Sequence, residues 1–543
     1  MWIGTRRSVS AGTLLFILAL VCAALLALPG QTVVTRYLND LFLILDGAHR
    51  VAWGEVPHRD FRMPLGPLTA YVPAVGYALT GSFGAAMPVG MALLILALSP
   101  AVVQILTSRL HPVIALLYGA FLILVLAVPT NLGETVTSLT FSKFYNRIGW
   151  VALGALLIMY LPPRHVRAGQ DRRDLLSAAF LVLVMAYTKA TYGVVALAFL
   201  AFMLFDRRQR RWAAGALGLA LVAGLVVELF WRSSLSYVAD LRLALDVSGA
   251  VRGTRGQIID HVLGNLADYV LAALVAGLAL AYTRSLRDAV FYCACAVVGF
   301  LLVNQNFQVW GILTLHAASA VAAETIVRAT DDGRNEVARG QWSITAGAKL
   351  LLAAMTLPAI VQCTLTLGLH AGAAVTKAGD EIAFPNLDRV RLANLWTWGD
   401  HDTALEYLAT VREGVDILAK LGNGAAPVAV LDIANPFSAA LGLRPAKGDA
   451  SWLQWERTVG SRAHPRPENL FADVRTVMEP KPAAGSDAAA ALAAGRHPAA
   501  LYAPYLAAHF DLVRETDHWK LHRRPEKVQT SCGSNCSPAA VQP

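Results

Sequence analysis

The sequence predicts a mostly α-helical, multi-pass membrane domain followed by a small extracytoplasmic α/β domain. Three observations carry this. Hydrophobic residues make up 56% of the 543-residue chain and charged residues only 15%, against about 25% charged in soluble globular proteins. The apolar residues gather in runs that approach, with their flanks, the ~20 residues a spanning helix needs. After about residue 369 the long runs stop, and short apolar stretches alternate with helical periodicity.

Taken in order, Arg6 and Arg7 precede an apolar run to Pro29. It reads as an uncleaved first helix, a cleaved leader being the alternative. Nearly uncharged runs lie at residues 14–28, 91–106, 113–128, 175–187, 194–205, 213–230, 270–282, 290–303 and 350–369. Lipid satisfies no backbone polar group, so these runs must be helices. Placing Arg6 and Arg7 inside puts the other loop arginines inside as well. These are Arg109, Arg164, Arg167, Arg172, Arg173, Arg207, Arg208, Arg210, Arg211, Arg284, Arg287, Arg328, Arg334 and Arg339. The condition is that residues 65–79, with Gly66, Pro67, Pro73 and Gly76, form a helix lying at the outer surface or entering it partway. The count is then about eleven spans, with a cytoplasmic N-terminus and an extracytoplasmic C-terminal domain. The net charge of +9 sits in these short loops; it writes topology, not a nucleic-acid surface.

The outer segments hold the chemistry-bearing residues. The first, residues 31–81, mixes acids, bases and aromatics and shows no obvious secondary structure, which favours a functional loop. It reads Arg36-Tyr37-Leu38-Asn39-Asp40, then Gly54-Glu55-Val56-Pro57-His58-Arg59-Asp60-Phe61. This order of an acid after the first helix, then a Gly-x-x-Pro-x-x-Asp stretch, resembles the first extracytoplasmic loop of the GT-C superfamily of membrane glycosyltransferases. Phe144-Tyr145-Asn146-Arg147-Ile148-Gly149-Trp150 at a membrane boundary and Thr188-Lys189-Ala190-Thr191-Tyr192-Gly193 resemble bacterial members. So do Asp432-Ile433-Ala434-Asn435-Pro436-Phe437 and Trp519-Lys520-Leu521-His522-Arg523-Arg524. The likeness covers most of the chain. It departs at Asn39, where relatives often pair two acids, so the identity of the catalytic carboxylate stays open.

The resemblance implies a transferase of the protein O-mannosyltransferase and lipopolysaccharide-sugar-transferase kind. Its donor is a polyprenyl-phosphate-linked sugar, and its acceptor an envelope glycan, lipid or protein at the outer face of a bacterial inner membrane. It makes Asp40 the base that takes the acceptor proton, with a helix cap or a solvated interfacial acid as the alternative. Asp60 is the second candidate carboxylate, positioning acceptor or metal, or else closing a turn with Arg59 or Arg62. A lipid-phosphate leaving group calls for cations, for which Arg147 and Lys189 stand at outer membrane ends, with His58, Arg59 and Tyr145 beside them. A divalent cation is left open. Glu134 reads as a solvated loop acid, Glu228 as an i,i+4 partner of Arg232, and His316 as a satisfied core histidine. No P-loop, dinucleotide fingerprint, His-Glu-x-x-His or Gly-x-Ser-x-Gly element is present. A transporter or lipid flippase, and a non-catalytic envelope-assembly protein, are the alternatives.

The domain limits are 1–369 for the membrane part and 370–524 for the soluble part, with 525–543 as a disordered tail. In the soluble part residues 426–433 and 474–478 read as buried strands. Residues 403–421 read as an amphipathic helix with Leu405, Leu408, Val411 and Val415 inward, and 483–499 as a helix or loose connector. Trp452, Trp455, Tyr502 and Tyr505 read as core in preference to a sugar-stacking platform. Of six cysteines, Cys22, Cys293, Cys295 and Cys363 fall in apolar runs and read as core. Cys532 and Cys536 form a disulfide or stay incidental thiols.

Overall fold

The computed structural model describes residues 10–249, 255–305, 308, 310–332, 338–483 and 485–525. Among the described residues, eleven helices lie in the regions where about eleven spans were expected. These are α1 (Ala11–Ala27), α4 (Phe83–Arg109), α5 (Pro112–Ala127), α6 (Phe144–Leu157), α7 (Gln170–Thr188), α8 (Ala190–Met203), α9 (Arg210–Trp231), α12 (Leu266–Thr283), α13 (Leu286–Gln305), α14 (Leu313–Asp332) and α15 (Ala338–Val375). Five of them, α4, α9, α12, α13 and most of α15, are long and apolar enough to cross a membrane. The helices α1, α5, α8 and α6 with its 3-10 extension to Tyr160 are apolar but shorter. The chain is a multi-pass membrane protein by the length and composition of these helices.

Buried ion pairs gather the basic loops at one end of the bundle. Arg109, fully buried, grips Asp174 of α7 with Nη1 and Nη2 at 2.9 and 2.7 Å. Glu324 of α14 accepts from Arg164 at 2.5 Å, from Arg328 at 2.9 Å and from the backbone N–H of His111 at 2.6 Å. Arg328 also donates to the carbonyls of Arg109 and Pro162. Each charge is paired, as burial demands.

The other end carries the long segments. The 31–81 segment is not free of secondary structure. It holds strand β1 (Thr32–Val34), helix α2 (Leu38–Ala52) and helix α3 (Leu68–Thr80). In α2, Leu38, Leu41, Phe42, Leu45 and Ala48 recur at helical spacing and are buried, but the polar residues between them hide the stripe from a search for apolar runs. Helix α3 has 13 residues, roughly 20 Å of helix against a hydrocarbon core of about 30 Å. Helices α10 (Ser234–Ser248) and α11 (Arg255–Gly264) occupy the connection between α9 and α12.

Strand β1 pairs in parallel with β3 (Val390–Leu392), which pairs antiparallel with β2 (Asp380–Glu381). The 31–81 segment and the C-terminal third therefore share one sheet. Beyond it the soluble part holds α16 (Trp398–Ala419), β4 (Val428–Val430), α17 (Pro436–Leu441), α18 (Pro467–Leu470), β5 (Thr476–Pro480), α19 (Asp487–Ala493), α20 (Pro498–His509), β6 (Asp511–Glu515) and β7 (Trp519–Arg523). Its four strands run in the order β4-β5-β7-β6, with only β4 and β5 parallel. Alternation along β4 and β5 divides two cores. Val428, Val430 and Met478 pack with α2, α16 and α17. Ala429 and Val477 pack with Phe471, Tyr502 and Leu506 on the opposite face.

Several expectations are corrected. Leu405 is exposed, and Ala404 takes the buried place with Leu408, Val411 and Val415. Helix α9 ends at Trp231 and Arg232 turns left-handed, so Glu228 is bonded to Ser234 instead, N–H at 3.1 Å and hydroxyl at 2.5 Å. Cys293 is exposed, while Cys22, Cys295 and Cys363 are buried. His316 is buried, but only its Nδ1 finds a partner, the Ile312 carbonyl, among the described residues. Tyr502 is core, in line with the sequence, its hydroxyl donating to the Pro465 carbonyl. The span 483–499 resolves into α19 and the start of α20 with a break at Gly495. Residues 526–543, with Cys532 and Cys536, lie outside the described residues, as does Arg334.

Candidate functional site

The site is built where α2, α6 and the α7–α8 turn meet. Asp40 lies in the first turn of α2, where unpaired backbone N–H groups favour a carboxylate. Its Oδ2 accepts from the Ser142 hydroxyl. Ser142 is fixed by the segment before α6, which folds back on β1: Thr35 Oγ1 donates to the Thr137 carbonyl at 2.8 Å and accepts from the Leu139 N–H at 2.9 Å. The Ser142 carbonyl in turn accepts from Arg147 Nη1 at 3.4 Å, and the Thr130 carbonyl accepts from the same nitrogen at 2.6 Å. Arg147 is 2% exposed, and its Nε and Nη2 have no hydrogen-bond partner among the described residues.

Lys189 breaks the chain between α7 and α8 with an extended backbone. Its Nζ donates to Asn146 Oδ1 at 3.3 Å and lies 5.4 Å from the Tyr145 ring centre. The turn is braced by the 31–81 segment. The Gly66 N–H bonds the Thr188 carbonyl at 3.0 Å, and a Cβ at Gly66 would stand 2.1 Å from the Tyr187 oxygen, so only glycine fits.

Two cavities flank this turn. A polar chamber of about 150 Å³ is lined by Tyr37, Asn131, Glu134, Lys143, Asn146 and Arg147, among others. Glu134 is not a solvated acid: it accepts from the Tyr37 hydroxyl at 3.0 Å and from Asn131 Nδ2 at 3.1 Å, with Arg36 at 3.7 Å. Burial, reinforced by Glu134, pushes the Tyr37 hydroxyl up to about 12, so it stays a donor at neutral pH. Burial lowers the Lys143 ammonium below its ordinary value. The second cavity is an apolar groove of about 470 Å³ between α8, α10 and α13, lined by Val194, Leu241, Leu245 and Leu301. Tyr145, Lys189 and Arg457 also line it, with the Arg457 guanidinium 4.7 Å from the Trp452 ring centre.

His58, Arg59 and Asp60 gather elsewhere, in a cavity of about 210 Å³ that shares no lining residue with the polar chamber. His58 Nδ1 bonds Asp240 Oδ2 at 2.8 Å, and Asp240 also holds Arg62 at 3.2 Å. Asp60 closes its own turn, accepting from the Val56 N–H at 2.8 Å and from Arg59 at 3.1 Å. Arg62 and Asp240 also edge a narrow gap lined by Pro64 and Trp452, residues of the groove, so this cavity adjoins the groove. Asp40, Arg147, Lys189 and Tyr145 thus form one constellation, and His58, Arg59 and Asp60 a second.

A buried latch holds α2 under the soluble domain. Arg50 is fully buried and bonds Asp46 at 2.8 Å, Asp449 at 2.9 Å and the Ala446 carbonyl at 3.0 Å, with Glu55 at 3.5 Å. Three carboxylates on one guanidinium leave the outer two under-compensated. Burial, only partly offset by Arg50, lifts Glu55 to about 7 and Asp449 to about 6. The sequence reading passed over this latch, although Asp46 and Arg50 stand at i,i+4. It also missed Asp240 and Arg457, which no local pattern marks. Among the described residues no three His, Cys, Asp or Glu side chains come together as a metal site.

No protein-family model matches the chain, and no curated protein matches it. Two solved structures are similar to it, both crystal structures of ArnT from Cupriavidus metallidurans. The one bound to undecaprenyl phosphate is 13% identical, covers 94% of this chain and 97% of that chain, and gives a TM-score of 0.46. The apo form is 14% identical, covers 93% and 97%, and gives 0.44.

Proposed function

We propose that this protein is a membrane glycosyltransferase that moves a sugar from a polyprenyl-phosphate carrier to an envelope acceptor, at the extracytoplasmic face of a bacterial inner membrane. The observation that carries the reading is the groove. It is apolar along α8, α10 and α13, yet also lined by Lys189, Tyr145 and Arg457, and Lys189 bonds Asn146 of the polar chamber. An amphiphile with a long apolar tail and an anionic head matches that lining. The tail replaces lipid contacts, and the cations meet the phosphate in a site shielded from water.

Transfer then places the sugar between phosphate and acceptor. The acceptor oxygen attacks the anomeric carbon, and Asp40 takes its proton. The bond from the anomeric carbon to the phosphate oxygen breaks, and the phosphate leaves with the electron pair, its charge met by Lys189 and Arg457 of the groove lining. Ser142 steers Asp40 by donating to Oδ2. The second constellation, with His58, Arg59 and Asp60, supplies polar groups on the acceptor side. The alternation of basic loops supports a cytoplasmic N-terminus.

The test compares envelope glycans and lipids by mass spectrometry in a deletion strain, the same strain with the wild-type protein, and one with Asp40→Asn at equal membrane abundance. A sugar lost on deletion and restored only by the wild type is the expected result. No envelope difference between the three strains removes the transferase reading. Full restoration by Asp40→Asn removes Asp40 as base.

A further inference from the structure

Arg147 is a buried guanidinium with one free edge. Nη1 is spent on the Thr130 and Ser142 carbonyls. Nε and Nη2, which lie side by side on the opposite edge of the planar group, have no hydrogen-bond partner among the described residues. A buried charged donor without a partner is costly, and this edge is the bidentate fork that fits a carboxylate or a phosphate. Asn146 also lines the chamber, and its Nδ2 is likewise without a hydrogen-bond partner among the described residues. No described carboxylate forms a salt bridge with Arg147; the chamber's own acid, Glu134, is engaged by Tyr37, Asn131 and Arg36.

The donor phosphate does not by itself account for this edge. Arg147 lines the chamber and not the groove, while the groove has Lys189 and Arg457 in its own lining. Asn146 stands between them, its Oδ1 on Lys189. A group that reaches Arg147 from the groove has passed the phosphate position. Resting on the transferase reading above, we infer that the donor is doubly anionic and that Arg147 receives its second anionic group. That group is a carboxylate on the transferred sugar or the second phosphoryl of a diphosphate-linked carrier.

The full-length protein in nanodiscs is titrated with four probes: undecaprenyl phosphate, undecaprenyl diphosphate, undecaprenyl-phosphate glucose and undecaprenyl-phosphate glucuronic acid. The wild type is expected to bind one doubly anionic probe about tenfold to a hundredfold more tightly than its singly charged counterpart, the scale of a charge-assisted bidentate contact. Preference for the diphosphate over the monophosphate assigns the second phosphoryl; preference for glucuronate over glucose assigns the sugar carboxylate. Arg147→Lys keeps the charge, loses the fork and should erase most of that preference. Lys189→Met should weaken all four probes by a common factor. If undecaprenyl phosphate binds in a Lys189-dependent manner but neither doubly charged probe is preferred, the doubly anionic donor is refuted and the transferase reading stands. If Arg147→Lys weakens the monophosphate as much as the doubly charged probes, Arg147 serves the first phosphate and the inference falls. If no polyprenyl probe binds, both readings fall. A wild type that prefers neither doubly charged probe refutes the inference even where a variant does not fold.

Discussion

Asp40 and Arg147 sit on the two sides of one serine, whose hydroxyl serves the carboxylate and whose carbonyl serves the guanidinium. Asp40→Asn keeps the shape and removes the base; transfer should fall by about 10²–10⁴, the usual share of a positioned base, at unchanged protein level. Ser142→Ala leaves the carboxylate intact and loosens it. A loss of about tenfold is expected in the same in vitro transfer assay, and a loss as deep as that of Asp40→Asn would make the hydroxyl itself essential. Asp40 became a candidate through the family resemblance of residues 31–81, Arg147 and Lys189 because ionisable side chains at a membrane boundary are expensive to keep, and Tyr145 as their neighbour. The sequence did not separate them from His58, Arg59 and Asp60, because order along a loop does not say which cavity a side chain enters. Glu134 was read as solvated for a related reason: its partners Arg36 and Tyr37 lie far away in sequence.

At the scale of elements, α2 is the part that carries Asp40, the proposed base, and the Arg50 latch holds it. Arg50→Met leaves three buried carboxylates without a cation. A destabilisation of about 3–5 kcal/mol is expected, the cost of breaking a buried pair by removing one partner; thermal unfolding in detergent reads it. The latch also titrates. With Glu55 lifted to about 7, the folded protein holds a proton that the unfolded chain releases at the ordinary glutamate value. Between those two values the folded state binds more protons, so stability falls as pH rises, fully so above pH 7. The melting temperature should drop between pH 5 and pH 8, and Glu55→Gln should flatten that drop; parallel slopes for the two proteins would exclude Glu55 as its source. Nine of the bundle helices were legible because each contains an apolar run; α14 was not, because His316, Glu324 and Arg328 interrupt it. Helix α2 was not, because its buried stripe is interrupted by Asp40, Asp46 and Arg50. Strands β1 to β3 have only two or three residues each, too few to show a period.

Across the whole molecule, charge sorts the two ends of the bundle: the Arg109, Arg164 and Arg328 network at one, the soluble domain and both cavities at the other. With the proposed orientation, a cysteine at Arg167 in a cysteine-free background reacts with an impermeant maleimide only after permeabilisation, and one at Asp487 reacts in intact spheroplasts. The reverse pattern inverts the topology. The link between the ends and the soluble domain is β1 lying against β3, backed by α4, where a Cβ at Gly84 would stand 2.2 Å from the Arg389 carbonyl oxygen. That pairing sets a schedule. Strand β1 leaves the ribosome early, and its partner near residue 390 follows only after tens of seconds at about 5–20 residues per second. During that wait α2 has no α16 or α17 to cover it, and the edge of β1 stays open. The proposed site is therefore incomplete until the last third of the chain has been made, and a chain cut short by an early stop codon leaves α2 without the elements that cover it.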